Sequence, residues 1–318
     1  MECSIFISKP IILANDLFNL HAQCVENILS HITDRKVTKS ISLSASYGLT
    51  AVQKLKKTLN MLPANSYRRG IFAAAPAPYT SDKEVFFELA KKSASEGSAS
   101  LKYFAEHLDE VFPTSSLMGL PNGSLCFAAH EIGALGPHGC YLDLDCATHN
   151  AFSAAVTHVK LNRLDDFVVY GFCHTAERFF AKSASEVIRA SLRSTLGGYA
   201  VYGSADAKKI EDPVAEIKNI QCAVPIRCFL QSKLKKYDLI LLSCPLEEVV
   251  QDFFRLFKGT PVVDVYAQAA YLSEMAGVLE ISMAKKLEVS KEVKINALCL
   301  IVCVNPWEMV SSLEFILK

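Results

Sequence analysis

One stretch constrains the fold more than any other: residues 136–172, GPHGCYLDLDCATHNAFSAAVTHVKLNRLDDFVVYGF. Gly136 and Pro137 open a tight turn, residues 141–144 alternate apolar and acidic side chains as a strand does, and from Ala147 the spacing becomes helical. Ala147, Ala151, Ser153, Ala154 and Ala155 are small enough for a helix squeezed between layers. Asn162, Asp165 and Asp166 mark its exit, and an apolar strand follows over 166–172. Strand, turn, small-residue helix and strand in succession predict an α/β protein.

Cys146 falls where the period changes, at the N-terminus of that helix. Unpaired backbone N–H groups and the helix dipole favour thiolate there, so local chemistry predicts a thiol pKa below its usual value of about 8.5. Cys146 is therefore the candidate nucleophile, the other reading being an inert buried thiol. His149 lies one helical turn on and is the candidate base, unless its ring points into a neighbouring layer and bonds to backbone. His138 and His174 bracket the same region.

Composition narrows the class. A chain of 318 residues with 51% hydrophobic side chains can bury strands on both faces, as layered α/β folds do. The longest apolar run near the C-terminus, 297–304, stops at Asn305 and Pro306, short of the ~18–20 residues a membrane helix needs. The first residues, MECSIFISKPIILAND, carry Glu2, Lys9 and Pro10 and no small-residue cleavage site, which predicts a cytoplasmic protein. Eleven cysteines, odd in number and mostly in apolar surroundings, read as reduced core thiols, and none has the C-x-x-C spacing of a metal or redox site. With 33 basic and 33 acidic residues the global field favours neither nucleic acid nor an anionic membrane. The best basic cluster, Lys54, Lys56 and Lys57, reads as a solvated helix face or a docking point for an acidic carrier protein.

Along the chain the spacing predicts strands over 4–13, 68–75, 199–202, 214–224, 237–242, 262–266 and 295–304. Helices are predicted over 16–32, 47–62, 83–92, 98–111, 125–135, 147–163, 177–196, 246–257 and 269–286. Helix 269–286 followed by strand 295–304 echoes helix 147–163 followed by strand 166–172, as an internal duplication would. The two halves are expected at 1–185 and 186–318, forming one compact unit.

Gly136-Pro137, Asp145-Cys146-Ala147-Thr148 and the strand from Asp166 to Gly171 resemble, in order and nearly in spacing, the β-ketoacyl synthase branch of the thiolase-like superfamily. The upstream PTSSLMGLPNGSLCFAAHEIGALGP is similar to that family's proline-led loop, turn and helix. Fainter likenesses lie at Leu196 to Tyr199, in PVAEIKNIQCAV, at Tyr237 to Ile240 and at Ser273 to Gly277. The resemblance implies two copies of a βαβαβαββ unit in five layers, αβαβα, with the Cys146 helix in the middle layer. It also implies a dimer in which Asp166, Phe167, Val168, Val169, Tyr170 and Phe172 form a sheet edge paired with its two-fold mate.

The family's decarboxylative condensation needs two histidines from the second half. All eight histidines of this chain lie at or before His174. Alignment by motif puts Ser243 and Tyr271 at the two positions, leaves no lysine from Gly259 to Ala284, and replaces the family's glycine-rich loop by Val304 to Glu308. The resemblance thus implies a ketosynthase-like subunit of a type II fatty acid or polyketide pathway, aryl polyene synthesis among them. It would not condense alone, would need no cofactor, and would partner a complete ketosynthase, or a second copy of itself, and an acyl carrier protein. The alternatives are a Cys146-dependent acyltransferase or thioester-processing enzyme, and a self-pairing scaffold.

Overall fold

The computed structural model describes residues 4–14, 23–24, 28–32, 34–59, 66–76, 122–174, 196–231, 235–268 and 275–318. In the first half the strands are β1 (Ile5–Ile7), β2 (Ile11–Ala14), β3 (Gln23–Cys24), β4 (Arg69–Ala74), β5 (His138–Tyr141), β6 (Asp166–His174) and β7 (Leu196–Ser204). In the second they are β8 (Ala215–Pro225), β9 (Leu239–Ser243), β10 (Val262–Asp264), β11 (Leu298–Val304) and β12 (Met309–Leu317). The main helices are α1 (Leu43–Thr58), α2 (Gly123–Ile132), α3 (Ala147–Lys160), α4 (Ile226–Gln231), α5 (Glu247–Leu256) and α6 (Val278–Val289).

Strand pairing repeats itself. β5 pairs with β4 in parallel, β4 with β6 in parallel, and β6 with β7 antiparallel. β10 pairs with β9 in parallel, β9 with β11 in parallel, and β11 with β12 antiparallel. The inner flank of β7 is closed by β2 and that of β12 by β8, both antiparallel. Among the described residues the two halves thus repeat one five-strand pattern, with β3 added beside β2 in the first. β1 lies antiparallel to both β7 and β8 and joins the two. Because β7 completes the first sheet, the second repeat begins at β8. The Gly197-Gly198 pair lies in β7, the strand that completes the first sheet.

Alternating side chains sort the strands into three cores, as a period of two requires. Phe167 and Val169 of β6, Leu239 and Leu241 of β9, and Ile301 of β11 face a central core with Ala151, Phe152 and Ala155 of α3 and Leu279 and Ile281 of α6. Val168, Tyr170 and Phe172 face the outer core under α1 and α2. Ile240, Leu242, Leu300 and Val302 face the opposite outer core with Val250 and Phe253 of α5. Helix, sheet, paired helices, sheet and helix make the five layers.

The strand β6 differs from its expected role. Its residues pair with β4 on one side and β7 on the other, so it is interior and forms no edge. Asp166 is buried and bonded to Arg69 at 2.7 Å and Lys209 at 3.2 Å, while Phe167, Val168, Val169, Tyr170 and Phe172 are buried within the fold. Those side chains are committed to internal packing and have no free face for a mate. Among the described residues the sheet path ends instead at β5 and β10.

Other expectations shift in detail. Lys9 and Pro10 split the first strand into β1 and β2. The strand expected over 141–144 lies at 138–141. Within the expected helix 16–32, Gln23–Cys24 is a short strand beside β2, and most of the rest lies outside the described residues. The expected helices over 83–92 and 98–111 also lie outside them, as do residues 177–195 of the helix expected over 177–196, whose last residue is the first of β7, and residues 269–274 of the helix expected over 269–286. Strand β12 carries no expectation from the sequence. No helix among the described residues is long and apolar enough to cross a membrane.

Helix α1 is held close to the first sheet through Gly198. A Cβ added there would meet the Gly48 backbone nitrogen at 2.4 Å and the Tyr47 carbonyl carbon at 2.5 Å. Backbone on both sides leaves nothing flexible to yield. Gly198→Ala is expected to cost about 1–3 kcal/mol in urea unfolding, in the range for overpacked interiors; a change below ~0.5 kcal/mol would mean that α1 does not approach the sheet this closely.

Candidate functional site

The elbow before α3 is built from a strained turn and a set of side-chain ties. Leu144 adopts φ 44°, and Leu144–Cys146 forms a single tight turn closed by the Cys146 N–H donating to the Asp143 carbonyl at 2.8 Å. The Asp143 carboxylate accepts from the Asn150 amide at 2.9 Å and the Asn305 amide at 2.9 Å. Asn305 in turn accepts the backbone N–H groups of Trp307 and Met309, each at 3.0 Å. The β11–β12 hairpin of the second half is thereby fastened to the elbow of the first. Asp145, fully buried, accepts from the Tyr266 hydroxyl, and Thr148 pairs with the Tyr199 hydroxyl at 2.7 Å.

Cys146 is at the helix start, as expected, with 0% of its surface exposed. Its thiol points to backbone oxygens: the Cys303 carbonyl at 3.5 Å and the Met309 carbonyl at 3.6 Å. These acceptors stabilise S–H over thiolate. Burial pushes the thiol far above its ordinary pKa, the Asp143 and Asp145 charges add to this, and hydrogen bonding from Ser311 opposes it. The expected lowering does not occur. A helix dipole supplies about 0.3–1 kcal/mol, whereas stripping water from a buried charge costs several.

His149 is fully buried, and neither ring nitrogen has a hydrogen-bond partner, protein backbone included. It makes no hydrogen bond to Cys146, and burial pulls its pKa down to about 3. The ring packs at the start of α6: a Cβ added to Gly277 would lie 3.1 Å from Cε1 and 3.3 Å from Nδ1. The structure therefore separates the expected nucleophile from its expected base. His138 is exposed on β5, and the His174 side chain lies outside the described residues.

Ser243 does fall at the site. It ends β9 and lies beside Cys303 of β11 in the parallel register. Its hydroxyl donates to Glu280, a fully buried carboxylate of α6. The same Glu280 Oε1 accepts the Cys303 thiol at 3.8 Å, and Oε2 accepts the Gly277 N–H. Burial raises Glu280 to about 7, with those donors working in the other direction. Tyr271, the other motif-aligned position, lies outside the described residues. Glu280, Cys303, Asp143 and Asn305 were not singled out from sequence. Only Glu280 left a signal there, as a lone acid in the apolar run VLEISMA, three residues after a glycine.

The sequence matches no family model and no curated protein. The structure is similar to many solved chains. One belongs to the AntDE:AntF complex, described as a type II polyketide synthase acyl-carrier protein with its ketosynthase bound to the hexaketide: TM-score 0.74, 9% identity, 100% of each chain covered. A chain of the ishigamide ketosynthase/chain length factor gives a TM-score of 0.63 at 12% identity over 92% of this chain and 85% of that one. A β-ketoacyl synthase from Burkholderia phymatum gives 0.65 at 12% identity over 90% and 85%. The protein has the α/β fold of the thiolase-like ketosynthases, with Cys146 at the start of its central helix.

Glu280 gives a pH test of this geometry. Its folded pKa of about 7 lies above the ordinary 4.5, so the folded state holds the proton more tightly and stability falls as pH rises from about 4.5 through 7. Glu280→Gln should remove a loss on the order of 3 kcal/mol across that window and be the more stable protein at pH 8. Identical pH profiles of chemical unfolding for the two proteins would show that Glu280 is not a buried, proton-holding carboxylate.

Proposed function

We propose that the chain is a ketosynthase-like subunit of a type II polyketide or fatty acid pathway, possessing no condensing activity of its own and acting as partner of a complete ketosynthase. The observation that carries this reading is the state of Cys146: a fully buried thiol held protonated by two carbonyl oxygens, with no base bonded to it. Condensation needs a thiolate, proton-transfer groups and oxyanion donors. Here the hairpin after β11 presents the Met309 carbonyl to the thiol, and Ser243 stands at one motif-aligned histidine position. The thioester-processing alternative, with His149 as base, has no support in this arrangement because His149 bonds to nothing.

The solved chains this protein is similar to include one from an acyl-carrier protein–ketosynthase complex and one from a ketosynthase/chain length factor. A ketosynthase and an acyl carrier protein are accordingly the partners proposed here, in the cytoplasm. The pairing edge moves from β6 to β5. Among the described residues β5 has one strand neighbour, β4, and Tyr67, Leu135 and Leu142 around it are 78%, 46% and 41% exposed. A strand with one edge unpaired and flanked by apolar side chains is a ready template for a second sheet.

Co-expression with a ketosynthase and acyl carrier protein encoded beside it should yield a heterodimer by size exclusion and mass measurement. Leu135→Glu combined with Leu142→Glu should lower its affinity by at least 10-fold while leaving the melting temperature of the isolated chain within a few degrees. Isolated chain should release no carbon dioxide from malonyl-carrier protein. Turnover by the chain alone, or a ketosynthase of undiminished activity that never binds it, would defeat the proposal.

A further inference from the structure

A region open to solvent lies on the outer face of the first sheet. The C-terminal end of α1, the length of α2 and the turn into β5 border a cavity of about 840 Å³. That volume falls within the ~300–1,000 Å³ typical of small-molecule sites. Leu125 and Ala134 of its lining belong to the outer core, whereas Cys146 belongs to the central core on the other side of the sheet, so the cavity is separate from the elbow. Its polar wall carries groups of different kinds. Lys56 and Glu131, 2.9 Å apart and partly exposed, present a cation and an anion side by side, and Gln53 donates to the second Glu131 oxygen at 3.4 Å. Cys126 is an exposed thiol in the same lining. His130 stands one turn beyond it on the same face of α2.

We propose that this cavity binds a small disulfide bearing an amino-acid zwitterion, glutathione disulfide or cystine, and that Cys126 takes up half of it as a mixed disulfide. The ion pair matches such a ligand in both signs: the ligand carboxylate meets Lys56 and its ammonium meets Glu131. Leu125, Ala129 and Leu135 supply an apolar wall for its methylene groups. The Cys126 sulfur attacks the nearer sulfur of the disulfide. A new sulfur–sulfur bond forms and the old one breaks. The departing thiolate takes the proton that Cys126 gives up, with His130 placed to pass it across. One disulfide and one thiol become another disulfide and another thiol, so no further oxidant enters the step. Cys228, the other exposed thiol among the described residues, lies on α4 outside this lining.

The isolated chain is incubated with glutathione disulfide, with cystine, and with bis(2-hydroxyethyl) disulfide, which has neither carboxylate nor ammonium. Every cysteine is then assigned by peptide fragmentation. Expected is a mixed disulfide on Cys126, reversed by dithiothreitol, that forms about 10-fold faster than on Cys228 with at least one amino-acid disulfide, a preference that the hydroxyethyl reagent does not show. Cystine reacting as fast as glutathione disulfide would assign recognition to the amino-acid group itself, and reaction with glutathione disulfide alone would assign it to the whole tripeptide. Lys56→Met and Glu131→Gln, each checked for folding by circular dichroism, should remove most of the preference and leave Cys228 labelling unchanged. Equal labelling of Cys126 and Cys228, a preference for Cys126 that the hydroxyethyl reagent shares, or an undiminished preference in both folded variants would each overturn the assignment. The comparison of reagents on the wild-type chain decides the matter even where a variant fails to fold. No partner enters the measurement, so its outcome and that of ketosynthase binding are read independently.

Discussion

The structure depends on how closely two sheets can approach a shared middle layer. Each half contributes one helix to that layer, α3 or α6, and the central core mixes side chains from both sheets with both helices. Ala147, Ala151 and Ala155 are fully buried in it, and larger residues there would push the sheets apart. Everything that meets at the seam does so because of this approach. The Asn305 amide reaches Asp143 across the halves, the Cys146 thiol reaches two carbonyl oxygens of the second half, and the Tyr266 hydroxyl reaches Asp145.

The same approach decides the chemistry. A helix N-terminus lowers a thiol pKa where water can still reach the sulfur. At the seam water is excluded, and the acceptors that satisfy the Cys146 proton outweigh the dipole. His149 shows the other side of that exclusion. Its nitrogens are unpartnered and its ring is neutral, so it sits at the seam as bulk. Glu280 is tolerated because three donors converge on it, which is the condition for burying a carboxyl group.

Much of this was legible in the sequence where local pattern and tertiary role coincide. The elbow, α3, the strand after it and the echo of helix 269–286 with strand 295–304 follow from period and turn chemistry alone, and the strand pairing shows the duplication in full. Reading β6 as an edge failed for a reason present in its own residues. An unbroken run from Phe167 to Phe172 has apolar side chains on both faces, and such strands are interior. The mate for an edge was to be sought in HGCY, short and polar enough to lie at a margin. Strand β12 escaped because Ser311, Ser312 and Glu314 interrupt its alternation; Ser311 is buried within reach of Cys146, and Glu314 is bonded to Tyr237 at 2.8 Å. The Cys146 environment was illegible, since its acceptors come from residues more than 150 positions away.

The duplication gives the seam its last piece of logic. Cys146 and Gly277 occupy the same place, each capping the N-terminus of its central helix, and three residues on stand His149 and Glu280, both fully buried. The two halves differ at these four positions. Gly277, at φ 99°, has no Cβ, and the His149 ring lies against it, 3.1 Å from where that Cβ would be. Glu280, the counterpart of His149, turns to its own half, bonding the Gly277 N–H, Ser243 and Cys303. One half thus has the thiol at its cap and a histidine whose ring nitrogens bond to nothing. The other has a glycine at its cap and holds a carboxylate, a hydroxyl and a thiol in contact. The carboxyl, hydroxyl and thiol groups that bond to one another at the seam therefore belong to the second half, although the sequence landmark lies in the first.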